Sequence, residues 1–279
     1  MNRSTATGLL GDTAARDYVG KLRRFNAFAA PELRQAIASL ALRPGMRVLD
    51  AGCGSGEALA WLSSEAGPEG MVVGIDLALA HARAARAIAP PGASVVQANL
   101  AHLPLACGSV DLVWSVNTLN HLRDPVDALH TLATLLRPGG RIALGQSSLL
   151  PDMYFAWDAR LERVVNEAVR QYYRDRYQVS ERELADVRAL VGRLRRAGLR
   201  NVTARTFMIE RVAPLDPASA DYLLETIFGG TWGERLQPYL DADDYAALVR
   251  LCDPRHADFA LRRPDFHFLQ SFTLAVGQA

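Results

Sequence analysis

The feature that most constrains this chain is a repeated switch of hydrophobic period between residues 46 and 146. Short apolar runs recur as MRVLDA (46–51), MVVGID (71–76), SVVQAN (94–99), VDLVWSV (110–116) and RIALGQ (141–146). Between them lie segments of helical period, closed by Gly67-Pro68, Pro90-Pro91-Gly92 and Pro138-Gly139-Gly140. Short strands alternating with helices predict parallel βαβ units in an open, doubly wound sheet. Right-handed crossovers then put a ligand crevice beyond the carboxyl ends of the strands. The turn after the first strand, AGCGSGE (51–57), falls in that crevice.

The flanks follow different rules. Residues 1–43 read as an amphipathic helical cover, with Leu33, Ile37 and Leu40 on one side of a helix that Pro31 starts and Pro44-Gly45 stops. Residues 44–148 form the ligand-binding core. Residues 149–279 supply two more strands, 201–213 and 267–277, with helical inserts at about 151–179 and 214–264. Within the first insert, 161–173 is a helix, and Ser180 with Glu183 form a capping box for the next one.

The chain carries 31 Lys and Arg against 30 Asp and Glu, a net charge of +1, which argues against a nucleic-acid binder. Lys21 is the sole lysine, and the Arg- and Ala-rich composition reads as high-GC bacterial coding bias. No apolar run approaches the roughly 20 residues of a membrane helix. The N-terminus lacks signal-peptide order, so a soluble cytoplasmic protein is expected. Cys53, Cys107 and Cys252 suggest neither a disulfide framework nor a metal knuckle, and no metal is expected.

Gly52, Gly54 and Gly56 pose the main question. A dinucleotide fold wants G-x-G-x-x-G, but its last position here is Glu57, whose carboxylate would repel a pyrophosphate. A P-loop needs Gly-Lys-Ser/Thr, which does not follow. The spacing instead suits a nucleoside with a zwitterionic tail. Asp76 ends the second strand, where its carboxylate can accept from both ribose hydroxyls; capping the next helix is the plainer role. Asn99 can accept from an adenine amino group beside the Leu100 N–H, or simply form a turn.

The series VLDAGCGSG (48–56), GIDLA (74–78), QANLAHLPLACGSVDLV (97–113), NHLRDP (120–125) and LLRPGGRIAL (135–144) resembles the motifs of class I S-adenosylmethionine-dependent methyltransferases, over about residues 40–148. The resemblance implies a Rossmann-like seven-stranded sheet with its last strand antiparallel. It implies that Asp50, Gly52, Gly54 and Gly56 approach the methionine part of S-adenosyl-L-methionine, and that Cys53 is also among the cofactor-binding residues. Asp76 would take the ribose, with Leu77 also at the cofactor, Asn99 and Leu100 the adenine, and Ser115 and Asn117 would lie near the sulfur. Asn99 departs from the family, which more often has Asp there. The N-terminal helix bearing Tyr18 and Phe25 would fold over the cofactor.

Methyl transfer is an in-line displacement that rewards a dry, oriented pocket. A hydroxyl acceptor needs a base, for which His121, Glu167, His256 and His267 are the candidates, His121 first; a loop-holding histidine is its plainer role. Tyr154, Trp157, Tyr172, Phe228 and Trp232 in the inserts could line a pocket for a small-molecule acceptor, such as a secondary metabolite, or could pack the cap. Gly229, Gly230 and Gly233 could hinge it. Two rivals remain: a binder of the same cofactor that does not methylate, such as a cyclase or binding subunit, and a nicotinamide-dependent oxidoreductase.

Overall fold

Each apolar run of five to seven residues buries a strand between two helical layers, and the computed structural model shows the sheet this produces. It describes residues 15, 17–148, 154–155, 158–180 and 186–279. Two helices, α1 (Val19–Phe28) and α2 (Ala30–Ala38), precede the alternation, with Pro31 in the first turn of α2. Then come β1 (Arg47–Ala51), α3 (Glu57–Ala66), β2 (Met71–Asp76), α4 (Leu79–Ile88), β3 (Ala93–Gln97) and β4 (Val110–Val116). Helix α5 (Pro125–Thr134) starts as its sequence dictates: Asp124 Oδ1 accepts from the N–H groups of Val126 and Asp127 at 3.1 and 2.9 Å.

Strand β5 (Leu136–Ser147) begins five residues before the expected 141. Its pairing with β4 shifts register between Val110 and Leu112, which absorbs the Pro138-Gly139-Gly140 turn within the strand. A two-residue strand β6 (Tyr154–Phe155) pairs with Leu269 and Phe268, an addition no periodicity announces. Helix α6 (Ala159–Tyr177) follows, capped by Asp158, and then α7 (Asp186–Arg196). Glu183 of the expected capping box lies outside the described residues. The chain closes with β7 (Arg200–Val212), an insert, and β8 (His267–Gln278).

Strand order is β3-β2-β1-β4-β5-β8, with β7 beyond β8 and β6 extending the β5 side. The first five strands are parallel, and β8 runs antiparallel to all its partners. The architecture is thus an α/β doubly wound sheet of seven long strands whose last strand is antiparallel. One apolar cluster fills the face covered by α2, α3, α4 and the inserts; a second, with Leu129, Leu132, Leu190 and Leu194, lies under α5 and α7. The order reverses between β1 and β4, so the crevice opens at their carboxyl ends.

The 214–264 insert is a continuous cover. It runs through α8 (Pro217–Asp221), a ten-residue π-helix (Tyr222–Thr231), a 3₁₀ segment (Glu234–Tyr239) and α9 (Ala242–Cys252). Its aromatic anchor is Tyr222, fully buried and stacked on Phe28 at 4.2 Å between ring centroids.

Candidate functional site

The chain leaves β1 at Ala51 and enters α3 at Glu57 through a turn in which Gly52, Gly54 and Gly56 have φ of +86°, +54° and +94°. A Cβ at Gly52 would stand 2.2 Å from Thr118 Oγ1, and one at Gly56 would stand 2.6 Å from Ala85 Cα. The glycines therefore serve two packings as well as the turn. Gly52 admits the β4 loop, and Gly56 admits α4.

The fate of the turn's N–H groups decides what it can hold. Gly52 and Cys53 both donate to Ile75 O, at 2.8 and 2.9 Å. Gly54 donates to Asp76 Oδ2 at 2.9 Å, and Gly56 donates to Cys53 O at 3.0 Å. A phosphate cradle needs such donors turned toward the ligand, and here four of them are spent inside the protein. The Glu57 carboxylate is held at the start of α3 by Ser55 Oγ and Asn26 Nδ2, each at 2.6 Å. An anion at this turn would meet Glu57 and few free donors. The reading of the glycines against a phosphate rests on these bonds as well as on spacing.

The crevice is a cavity of about 220 Å³. Its polar wall includes Asp50, Asp76, Asn99 and Asn117, with Gly52, Cys53 and Gly54 of the turn and Leu77 and Leu100 beside them. Its apolar wall includes Leu22 and Phe25 of α1, Trp61 of α3, Trp114 of β4 and Leu122. Tyr18 and His121 stand on its lining too.

Asp50 is 2% exposed, and its Oδ2 has no hydrogen-bond partner among the described residues. Burial, reinforced by the charges of Asp76 and Glu57, raises its pKa from 3.8 to about 8. A cationic amine placed there would supply both the missing donor and the missing charge. The Cys53 thiol is pushed up as well, first by burial, so it is an inert packing group.

Asp76 is the most heavily used carboxylate in the cavity. Oδ2 accepts from Gly54 N–H, while Oδ1 accepts from Ala78 N–H at 2.9 Å and faces His81 Nδ1 at 3.2 Å. Of the roughly four lone-pair sites of a carboxylate, about one is left for a ligand. Asn99 uses its side chain as a turn former, Oδ1 accepting from Ala101 N–H at 3.0 Å. Asn117 sits at φ +52°, with Oδ1 accepting from Ser147 N–H at 2.9 Å and Ser147 Oγ at 3.0 Å, which ties the ends of β4 and β5 together.

Several expected residues stand elsewhere. Ser115 is buried and gives its hydroxyl to Ala51 O at 2.7 Å, a clamp between β4 and β1 rather than a wall of the cavity. Gly56 packs on α4 and is absent from the lining. Phe228 and Trp232 are 3% and 2% exposed and stack at 6.1 Å, so they build the cap's core. Tyr172 packs edge-on against Tyr173 and Tyr239. None of these three lines the cavity described. Trp157 lies outside the described residues, and Tyr154 is placed only as a residue of β6. Gly229 and Gly230 lie within the π-helix, and Gly233 lies so close that a Cβ on it would meet Gly229 O at 2.4 Å; this is a packed turn and no free hinge.

Among the base candidates only His121 lines the cavity, from the 3₁₀ turn Leu119–His121. Glu167 pairs with Arg174 at 3.5 Å, His256 Nδ1 accepts from Asp258 N–H at 3.1 Å, and His267 Nε2 meets Glu210 Oε1 at 2.8 Å across β7 and β8. Among the described residues no group of three or more His, Cys, Asp or Glu side chains is arranged to hold a metal ion. Sequence reasoning missed His81, Asn26 and Trp61, all at the cavity. A histidine five positions after Asp76 was the one signal available for the first.

Residues 49–144 match the family model of the methyltransferase domain. The 27-O-demethylrifamycin SV methyltransferase of Amycolatopsis mediterranei is 36% identical over 117 residues, covering 40% of this chain and 42% of that protein. The chain spans less than half the length of the curated relatives it matches. Among solved structures, a SAM-dependent methyltransferase from Aquifex aeolicus superposes with a TM-score of 0.52 at 20% identity, covering 68% of this chain and 92% of that one. The [4+2]-cyclase SpnF superposes with a TM-score of 0.50 at 17% identity, covering 90% and 80%. At these identities the two structures show a shared fold.

Proposed function

We propose that this chain, whose residues 49–144 match the methyltransferase-domain family model, is a class I S-adenosylmethionine-dependent methyltransferase that transfers the methyl group of that cofactor to a small organic acceptor, a bacterial secondary metabolite. The observation that carries the cofactor's placement is the buried Asp50 carboxyl, its Oδ2 without a partner among the described residues, at the inner end of a turn four of whose N–H groups are spent. That end takes a cation and refuses a phosphate, which also counts against the nicotinamide reading.

In this reading Asp50 receives the aminium group of the methionine tail, against Gly52, Cys53, Gly54 and Asn117. Asp76 accepts a ribose hydroxyl at the lone-pair site it has left, beside Leu77. Leu100 and Asn99 border the adenine. The cofactor supplies an electrophilic methyl on a sulfonium. The chain's part is to orient the reactants and exclude water, and the apolar wall of Leu22, Phe25, Trp114 and Leu122 serves both ends. His121, on the same lining, takes the proton when the acceptor is a hydroxyl. The balanced net charge and the helical cover over the crevice favour a small acceptor over a polymer.

The experiment is incubation of the protein with methyl-labelled cofactor and a panel of phenolic, carboxylic and amine metabolites, reading mass increments of one methyl. Labelled product from a small acceptor is expected. Labelling of RNA or DNA in preference would sink the substrate class. Cofactor binding with no increment on any acceptor would favour the non-methylating role.

A further inference from the structure

Helix α1 forms one wall of the crevice, and among its polar ties two join it to α3 and α4 beside the crevice. One is Asn26 Nδ2 to Glu57 Oε2. The other runs through a histidine. The backbone N–H of Tyr18, at the start of α1, donates to His81 Nε2 at 3.0 Å. On the opposite side of the ring, His81 Nδ1 faces Asp76 Oδ1 at 3.2 Å. A backbone N–H can only donate, so Nε2 is the bare nitrogen and Nδ1 carries the proton. The ring therefore donates to Asp76 while accepting from Tyr18. Both side chains are about nine-tenths buried, 11% exposed for His81 and 12% for Asp76. Water does not easily replace either bond.

We propose that His81 is a positioning residue that couples the seating of helix α1 over the crevice to the carboxylate of Asp76. By occupying Oδ1 together with Ala78 N–H, the ring fixes the plane of the carboxyl group and leaves a ligand hydroxyl the second lone pair of Oδ2, whose first accepts from Gly54 N–H. By accepting from Tyr18 it anchors the first turn of α1, whose Leu22 and Phe25 close the crevice. A ligand that binds Asp76 thereby favours the seated helix, and the seated helix favours that ligand, because coupling between two such events is reciprocal. The proposal rests on the reading that Asp76 takes the ribose.

Two isosteric substitutions separate the two bonds. His81→Asn reaches the position of Nδ1 but not of Nε2, so it can keep Asp76 and loses Tyr18. His81→Gln reaches Nε2 but not Nδ1, so it can keep Tyr18 and loses Asp76. The measurements are calorimetric affinity for S-adenosylhomocysteine and for its 2′,3′-dideoxy analogue, and hydrogen exchange of α1 amides with and without ligand. Thermal melting first establishes that both variants are folded.

In the unmodified protein S-adenosylhomocysteine should slow α1 exchange, and the dideoxy analogue should bind more weakly and slow it less. His81→Asn should leave α1 exchanging fast even with ligand bound. His81→Gln should keep α1 protected without ligand and gain no further protection on binding. Each variant should bind S-adenosylhomocysteine about three- to ten-fold more weakly, the worth of one hydrogen bond. A purely structural role would weaken both ligands equally and move α1 the same way in both variants, which would overturn the proposal. So would wild-type affinity and exchange in both variants, with the ribose reading intact if the dideoxy analogue still binds weakly. Equal binding of the two ligands to the unmodified protein would overturn the ribose reading itself.

Discussion

At the scale of single residues, Gly56 and Asp50 make opposite demands. Gly56 has φ +94° and a would-be Cβ 2.6 Å from the α4 backbone at Ala85. Gly56→Ala adds the left-handed backbone cost of about 1–2 kcal/mol to an overpacking cost of about 1–3 kcal/mol. Denaturant melts should show that loss, with weaker cofactor binding because α3 and α4 are pushed apart at the crevice. Asp50 carries a pH dependence instead. Its pKa is raised from 3.8 unfolded to about 8 folded, so between those values the folded state holds the extra proton. The contribution of Asp50 to stability is therefore fullest below 3.8 and is lost as pH rises through about 8. Melts of the free protein at pH 5, 6.5 and 8 should decline along that series in excess of Asp50→Asn, which flattens the slope. The sequence made the glycines and the carboxylates of the site legible, because spacing carries them. It could not show that Ser115 turns its hydroxyl to Ala51 or that His81 bridges Asp76 and Tyr18, since those contacts join residues 64, 5 and 63 positions apart.

At the scale of elements, the parallel strands were legible because each is a short apolar run between helical periods. The edges were less so. β5 starts early through a register shift, β6 has two residues, and the π-helix has the same apolar content as an ordinary helix. The element least expected to matter is the joint between α2 and β7. Arg211 makes a two-bond pair with Glu32, at 2.8 and 2.9 Å, bonds Phe28 O, and lies 4.9 Å over the Phe28 ring. Both partners are 13% exposed. Removing either one strands a buried charge, so Arg211→Ala or Glu32→Ala should cost about 3–5 kcal/mol. The double replacement Arg211→Met with Glu32→Leu should recover much of that loss in equilibrium unfolding. If Glu32→Ala melts like the unmodified protein, the pair is not what joins α2 to the sheet.

At the scale of the molecule, α1 is shared by two bodies. One side closes the crevice through Leu22 and Phe25; the other meets the insert, where Phe25 and Phe28 pack on Tyr222 and Arg24 reaches Asp221 at 3.0 Å. Tyr222 opens the π-helix and is fully buried, and its ring joins the cover to α1 through Phe25 and Phe28. The Arg24–Asp221 pair is half exposed and adds little. A helix held from both sides transmits order between them when its seating has two states. Cofactor binding should therefore slow amide exchange in the π-helix Tyr222–Thr231 as well as in α1, though the cavity does not touch that element. Tyr222→Leu keeps apolar bulk but removes the 4.2 Å stack on Phe28. It should leave ligand-induced protection of α1 in place and abolish that of the π-helix. Protection of the π-helix by ligand in Tyr222→Leu, equal to that in the unmodified protein, would show that order reaches the cover by another route.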